Sequence, residues 1–153
     1  MKTYSLAQEI IIAAPVNDVW AFFSDPYNLG KISPDYMDFR IVQCPETEEI
    51  YDGMLIAYRV KPVLGIPLRW VTRIKNVKPG ASFTDVQVAG PYTLWEHTHT
   101  FREMSGNTHM RDVVTYALPL GMLGQLAHTL FVHRQLKAIF RYRENRIQQL
   151  FPS

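Results

Sequence analysis

The sequence predicts an α+β fold: a seven-stranded antiparallel sheet with two short helices after its first strand and one long helix at the C-terminus. Three observations predict it. From Phe39 to Leu118 apolar residues recur at every second position, the period of half-buried strands. Between these runs stand Asp52-Gly53, Lys78-Pro79-Gly80 and Ser105-Gly106, which are turn signals. Beyond Pro119-Leu120-Gly121 the spacing becomes helical, and no proline interrupts it before Phe151.

Tyr4–Ala13 is rich in β-forming residues and reads as the first strand. Ala14-Pro15 then opens a helix, because proline lacks an N–H that would be unpaired in the first turn anyway. Val16, Val19, Trp20 and Phe23 fall at helical spacing, and Ser24-Asp25-Pro26 ends the run. Tyr27–Pro34 holds a second short helix packed by Leu29 and Ile32. Phe39–Cys44 is the next strand, followed by the polar loop Glu46-Thr47-Glu48-Glu49. In Met54–Lys61 the inner set is Met54, Ile56, Tyr58 and Val60; in Leu68–Val77 it is Leu68, Trp70, Thr72 and Ile74. Pro62–Pro67 between them reads as a turn, and its apolar Val63, Leu64 and Ile66 make it either a pocket rim or a loop folded onto its own domain. Ser82–Val88 is a further strand whose inner face the pattern leaves open.

Thr93–Leu118 forms the hairpin on which the functional reading rests. Trp95, His97, His99 and Phe101 share one face of its first strand, and Met110, Asp112, Val114, Tyr116 and Leu118 share one face of its second. A two-residue loop at Ser105-Gly106 pairs Phe101 with Met110, His99 with Asp112, His97 with Val114 and Trp95 with Tyr116. A slip of one residue would pair inner with outer side chains, so parity selects this register. An imidazole then faces a carboxylate on a surface otherwise built for burial, where neither group belongs without a partner.

The C-terminal stretch carries two apolar stripes. Leu123, Leu126 and Leu130 form the first; Leu136, Ile139, Phe140, Ile147 and Leu150 form the second, opposite Arg134, Lys137, Arg141 and Glu144. On one straight helix these are displaced by about 100°. The expectation is a kink or break near Phe131–Arg134, or a second apolar contact for the first part.

Length and composition fit one domain over residues 1–153, with no repeat or linker. Sixteen basic against fourteen acidic residues leave a net charge of +2, which with the absence of RNA-binding signatures argues against nucleic acid as a partner. The single cysteine, Cys44, excludes an internal disulfide, indicates a reducing compartment and reads as inert. No apolar run is long enough for a signal segment or a membrane span, so the cytoplasm is expected and a membrane partner is not.

His99 and Asp112 read either as an acid–base pair, the carboxylate orienting the imidazole, or as two polar groups satisfying each other beneath a helix. His97 and His99 also stand about 6.6 Å apart along the strand. With Asp112 they make two imidazoles and a carboxylate, the set found at some iron sites, but the pattern lacks a third clear zinc ligand and no metal is assigned. Tyr58, Trp70, Trp95, Phe101 and Tyr116 are core residues whose concentration at inward positions, beside polar partners, is also the mark of a ligand cavity. Met110, Val114, Leu126 and Leu130 complete the candidate lining, and Tyr116 is a candidate donor to a carbonyl.

The order strand, two helices, six strands, long helix resembles the START-like (SRPBCC) superfamily over essentially the whole chain. The residues that carry the resemblance are Ala14-Pro15, Val19-Trp20, Gly90-Pro91-Tyr92, the Trp95-x-His97-x-His99-x-Phe101 strand, Asp112-x-Val114-x-Tyr116-x-Leu118-Pro119 and Phe140-x-Tyr142-Arg143. The branch it looks like is the bacterial polyketide cyclase/dehydrase-like, ligand-binding one. The resemblance implies the helix-grip fold, a curved sheet wrapped on the C-terminal helix with a deep apolar cavity between them. A shared fold does not transfer a reaction. The leading reading is a cofactor-free carrier of a small hydrophobic or aromatic ligand, monomeric or homodimeric, with the ligand's polar end on His97, His99, Asp112 or Tyr116. The alternatives are a cofactor-independent cyclase or dehydratase using His99 as base with Asp112 or Tyr116 as helper, and an interaction module that docks Met122–Val132 on a protein or bilayer.

Overall fold

Strands β1 (Tyr4–Ile12), β2 (Arg40–Gln43), β3 (Leu55–Val63), β4 (Ile66–Lys78), β5 (Ser82–Ala89), β6 (Leu94–Met104) and β7 (Asn107–Ala117) form one antiparallel sheet. Its order is β1-β7-β6-β5-β4-β3-β2 in a computed structural model that describes residues 1–47, 49–63 and 65–153. This is the curved, helix-grip arrangement the sequence predicts. Helix α1 (Val16–Phe23) and two 3-10 turns, Pro26–Ile32 and Asp35–Met37, link β1 to β2.

Period-two alternation places the core. Ile56, Tyr58 and Val60 of β3 are buried, whereas Leu55 before them and Arg59 among them are exposed; the small Ala57 is covered as well. Pro15 caps α1 from outside, so the helix begins one residue later than the proline signal suggests. Trp20 on α1 meets Phe83 and Phe101 edge-on at 5.9 and 5.7 Å, joining helix to sheet. The hairpin keeps the predicted register, including Met104 opposite Asn107; Ser105 and Gly106 both take positive φ, 51° and 85°, as such a two-residue turn requires.

Two expectations are corrected. The segment read as a turn over Pro62–Pro67 is mostly strand: β3 runs through Pro62 to Val63 and β4 begins at Ile66, with an irregular register between Val60 and Val63 that accommodates the proline. Of the proposed rim, Leu64 and the Val63 side chain lie outside the described residues, Ile66 is exposed, and Pro62 lines the cavity described below.

The second correction concerns the first apolar stripe of the C-terminal helix, whose expected break is present. The helix divides into α2 (Gly121–Ala127), one wide π-helical turn (His128–Val132) and α3 (His133–Leu150), the His133 N–H reaching back to the His128 carbonyl. The wide turn overlaps the expected break and offsets the two stripes. α3 buries Leu136, Ile139, Phe140 and Ile147 on one face, whereas in α2 only Gly124 is buried. The first stripe therefore finds no second contact: Leu123, Leu126 and Leu130 are 69%, 56% and 51% exposed. The cause lies just upstream, where Leu120 and Gly121 both take positive φ, 71° and 52°, and turn the chain so that α2 rests its glycine on the preceding segment. A Cβ at Gly124 would collide with the Pro119 carbonyl oxygen. Gly124→Ala is accordingly expected to cost about 1–3 kcal/mol through overpacking, read as a lower thermal midpoint with hydrogen exchange accelerated over 119–127.

α3 also covers the free side of β1. Gln148 Nε2 donates to the Ile11 carbonyl at 3.0 Å, and Gln8 Nε2 donates to the Phe140 carbonyl at 3.2 Å. Among the described residues no helix is long and apolar enough to cross a membrane.

Candidate functional site

The inner faces of β3 to β6 line one side of a cavity of about 300 Å³; α3, the end of α1 and the connection to β2 line the other. The wall is apolar over Phe39, Ile56, Val60, Trp70, Leu136 and Ile139. Asp85 from β5, His97 and His99 from β6 and Arg143 from α3 interrupt it in one region.

Strand pairing brings these groups together. β5 sets Asp85 opposite His97 and Phe83 opposite His99, and β7 sets Asp112 opposite His99. Asp112 Oδ1 accepts a hydrogen bond from His97 Nε2 at 3.0 Å and lies 2.8 Å from His99 Nδ1, an ionic contact off the N–H axis. On the cavity side, His99 Nε2 donates to Asp85 Oδ2 at 3.0 Å, and the same oxygen is 3.9 Å from His97 Nδ1. The imidazoles stack at 3.9 Å, and the Phe83 ring covers His99 at 4.4 Å.

The electrostatics follow from this enclosure. Burial opposes charge on Asp112, but hydrogen bonding to His97 and His99, and their charge, hold its carboxyl well below the usual range. Burial likewise opposes charge on Asp85, and His99, His97 and Arg143 lower it in the same way. Burial also disfavours the His99 cation, yet contacts with both carboxylates raise that imidazole to about 9. For His97 the balance is reversed: burial and the neighbouring His99 charge push it down, against the pull of Asp112. Two carboxylates thus balance one imidazolium and the Arg143 guanidinium, while His97 stays neutral. Arg143 Nε is buried without a hydrogen-bond partner, and its guanidinium stands 5.3 Å from the Phe140 ring centroid.

Of the residues named from sequence, Tyr58, Trp70, Trp95, His97 and His99 line the cavity. Asp112, 1% exposed, lies behind the two imidazoles rather than at the wall. Phe101, Met110 and Val114 are buried outside the lining, Phe101 being packed against Trp20 and Phe23. Tyr116 is fully buried and outside the lining; its hydroxyl is 2.7 Å from His128 Nε2 in the wide turn, and that imidazole stacks on Tyr4 at 3.5 Å. The carbonyl-donor role expected of Tyr116 is thereby replaced by a helix-to-sheet tie. Leu126 and Leu130 point to the surface and touch no part of the cavity, because α2 and the wide turn stand away from the sheet.

Asp85 and Arg143 were absent from the sequence candidates. Arg143 did leave a signal: it stands three residues after Phe140 and four before Ile147, within the buried stripe. Asp85 left none, since Phe83-Asp85-Gln87 looks less apolar than the opposite set Thr84-Val86-Val88 and the pattern turns it outward.

With this geometry in place, comparison with known proteins assigns the family. The family described as polyketide cyclase / dehydrase and lipid transport matches residues 12–140. The chain belongs to that family. Comparison with curated proteins finds no sequence match. Among solved structures it is similar to the Zhui aromatase/cyclase from Streptomyces sp. R1128, at 13% identity and TM-score 0.74, over 95% of this chain and 92% of that one. It is also similar to a START superfamily protein from Mycobacterium smegmatis, at 13% identity and TM-score 0.63, over 95% of this chain and 98% of that one. Likeness at this level of identity is likeness of fold, and the family's description covers both cyclase or dehydrase chemistry and lipid transport.

Proposed function

We propose that the chain binds a small, largely apolar or aromatic molecule between sheet and α3, with the ligand's polar end held by His99, Asp85 and Arg143. The observation that carries this reading is a largely apolar cavity with a buried charged constellation in its wall. Shape and apolar contact supply affinity in such a pocket, and a few fixed polar groups supply orientation. The engagement of Tyr116 by His128 and the position of Asp112 behind the imidazoles favour binding over an acid–base relay through those two residues.

Mass spectrometry of the native protein should find a co-purifying molecule with an apolar body and one polar end. A fluorescent probe tests the cavity directly. N-phenyl-1-naphthylamine is expected to bind the wild type, and Ile139→Trp, which fills the space from α3, is expected to abolish that binding while the far-UV circular dichroism stays unchanged. Equal binding by the folded variant would place the probe elsewhere and remove the reading.

A further inference from the structure

We propose that Asp85, His97 and His99 form a binding site for one divalent transition-metal ion in the cavity wall, with Asp112 orienting both imidazoles from behind. The inference goes beyond the ligand reading and does not need it to hold.

The argument is a count of protons and lone pairs. Asp112 Oδ1 addresses the rear nitrogens of both rings, His97 Nε2 at 3.0 Å and His99 Nδ1 at 2.8 Å. The hydrogen bond keeps a proton on His97 Nε2, and the carboxylate charge beside His99 Nδ1 favours one there, so the front nitrogens, His97 Nδ1 and His99 Nε2, are the donor atoms offered to an ion. Both front nitrogens lie within 4 Å of the same oxygen, Asp85 Oδ2, at 3.9 and 3.0 Å. Three electron-rich atoms gathered this closely repel unless a cation lies among them. In the metal-free chain a second proton on His99 meets that need. A divalent ion meets it with all three groups at once.

The dimensions suit an ion. Asp85, His97 and His99 each offer one donor atom, all within 4.8 Å of one another. Donors about 2.0–2.2 Å from a shared ion lie about 3.0–3.5 Å apart, so the two imidazoles, stacked in the metal-free chain, must tilt for both lone pairs to reach it. Two imidazoles and one carboxylate select zinc, iron(II) or cobalt(II) over magnesium or calcium, which take oxygen ligands. All three donors line the cavity and Asp112 does not, so the remaining coordination positions open on the space where a ligand would sit. The second carboxylate behind the rings is the outer support that metal-bound histidines ordinarily carry. This set differs from the one suggested by the hairpin alone: the carboxylate ligand comes from β5, and Asp112 is the support.

The test uses the full chain stripped with a chelator, with cobalt(II) and zinc(II) as the probes and no organic ligand. One equivalent of cobalt(II) is expected to bind and to give visible ligand-field bands that zinc(II) displaces. In the wild type, proton NMR of the cobalt form should show two exchangeable, hyperfine-shifted imidazole N–H signals, from His97 Nε2 and His99 Nδ1. Asp85→Asn and His97→Gln should each lower affinity by more than the about 10–100-fold expected for the support variant Asp112→Asn. A folded wild type that takes up less than one equivalent overturns the proposal. So does uptake that Asp85→Asn leaves unchanged, or a cobalt form without the two shifted N–H signals, a readout that needs no variant to fold.

Discussion

Asp112→Ala is expected to destabilise the protein by about 3–5 kcal/mol, the loss typical when one member of a buried ionic group is removed and the other remains. Asp112 is 1% exposed and is the one residue that contacts the rear nitrogens of both His97 and His99. Without it the His99 imidazolium keeps only Asp85, which sits at the cavity edge with 22% of its side chain exposed. Asp112→Asn should cost less, because the amide oxygen still accepts from His97 and the volume is preserved. Urea unfolding at neutral pH checks both: the midpoint should fall sharply for alanine and modestly for asparagine, with the denaturant slope unchanged. A midpoint for the alanine variant within experimental error of wild type would mean that the two rings do not depend on this carboxylate.

Trp20→Ala carries an effect of similar size, about 3–5 kcal/mol, by a different route. The indole is 7% exposed and wedges edge-on against Phe83 and Phe101, so its removal leaves a void exactly where α1 joins the sheet. Trp20→Phe should be nearly neutral by comparison. It keeps an aromatic edge in that place, and it deletes a buried donor, Trp20 Nε1, that has no acceptor. The ratio of the two losses, read from unfolding midpoints, separates apolar packing from hydrogen bonding at this joint. A loss for phenylalanine as large as for alanine would show that the indole nitrogen has a partner after all.

The sequence was most readable where local rules constrain it twice. The β6–β7 register follows from a two-residue turn and from the parity of a buried face, and these agree at each of Trp95, His97, His99 and Phe101. Period two sufficed for β3 and β4, where Arg59, Lys61, Arg69, Arg73 and Lys75 mark the outward face. It failed for β5, where Thr84, Val86 and Val88 form the more apolar-looking set although Asp85 faces the cavity. A carboxylate on an inner face is intelligible only once its neighbours are known to be imidazoles, and that knowledge is tertiary. The same holds at the far end of the hairpin. Tyr116 reads as a cavity residue until the wide turn brings His128 onto its hydroxyl, and such a turn leaves no periodic trace over five residues. Leu126 and Leu130 were misplaced for a related reason: helical spacing reports that a stripe exists, not that anything packs on it.

The way α3 lies along β1 bears on self-association. An open sheet offers unpaired backbone groups at both margins, and a foreign strand can add there. At one margin β2 spans only Arg40–Gln43, too brief to template much. At the other, the nine residues of β1 would be an inviting ledge, but the Gln148 amide already occupies the Ile11 carbonyl and the Gln8 side chain fastens the helix alongside. Strand addition at the Ile11 end of β1 therefore first requires the end of α3 to peel away, which ties resistance to aggregation there to two glutamines.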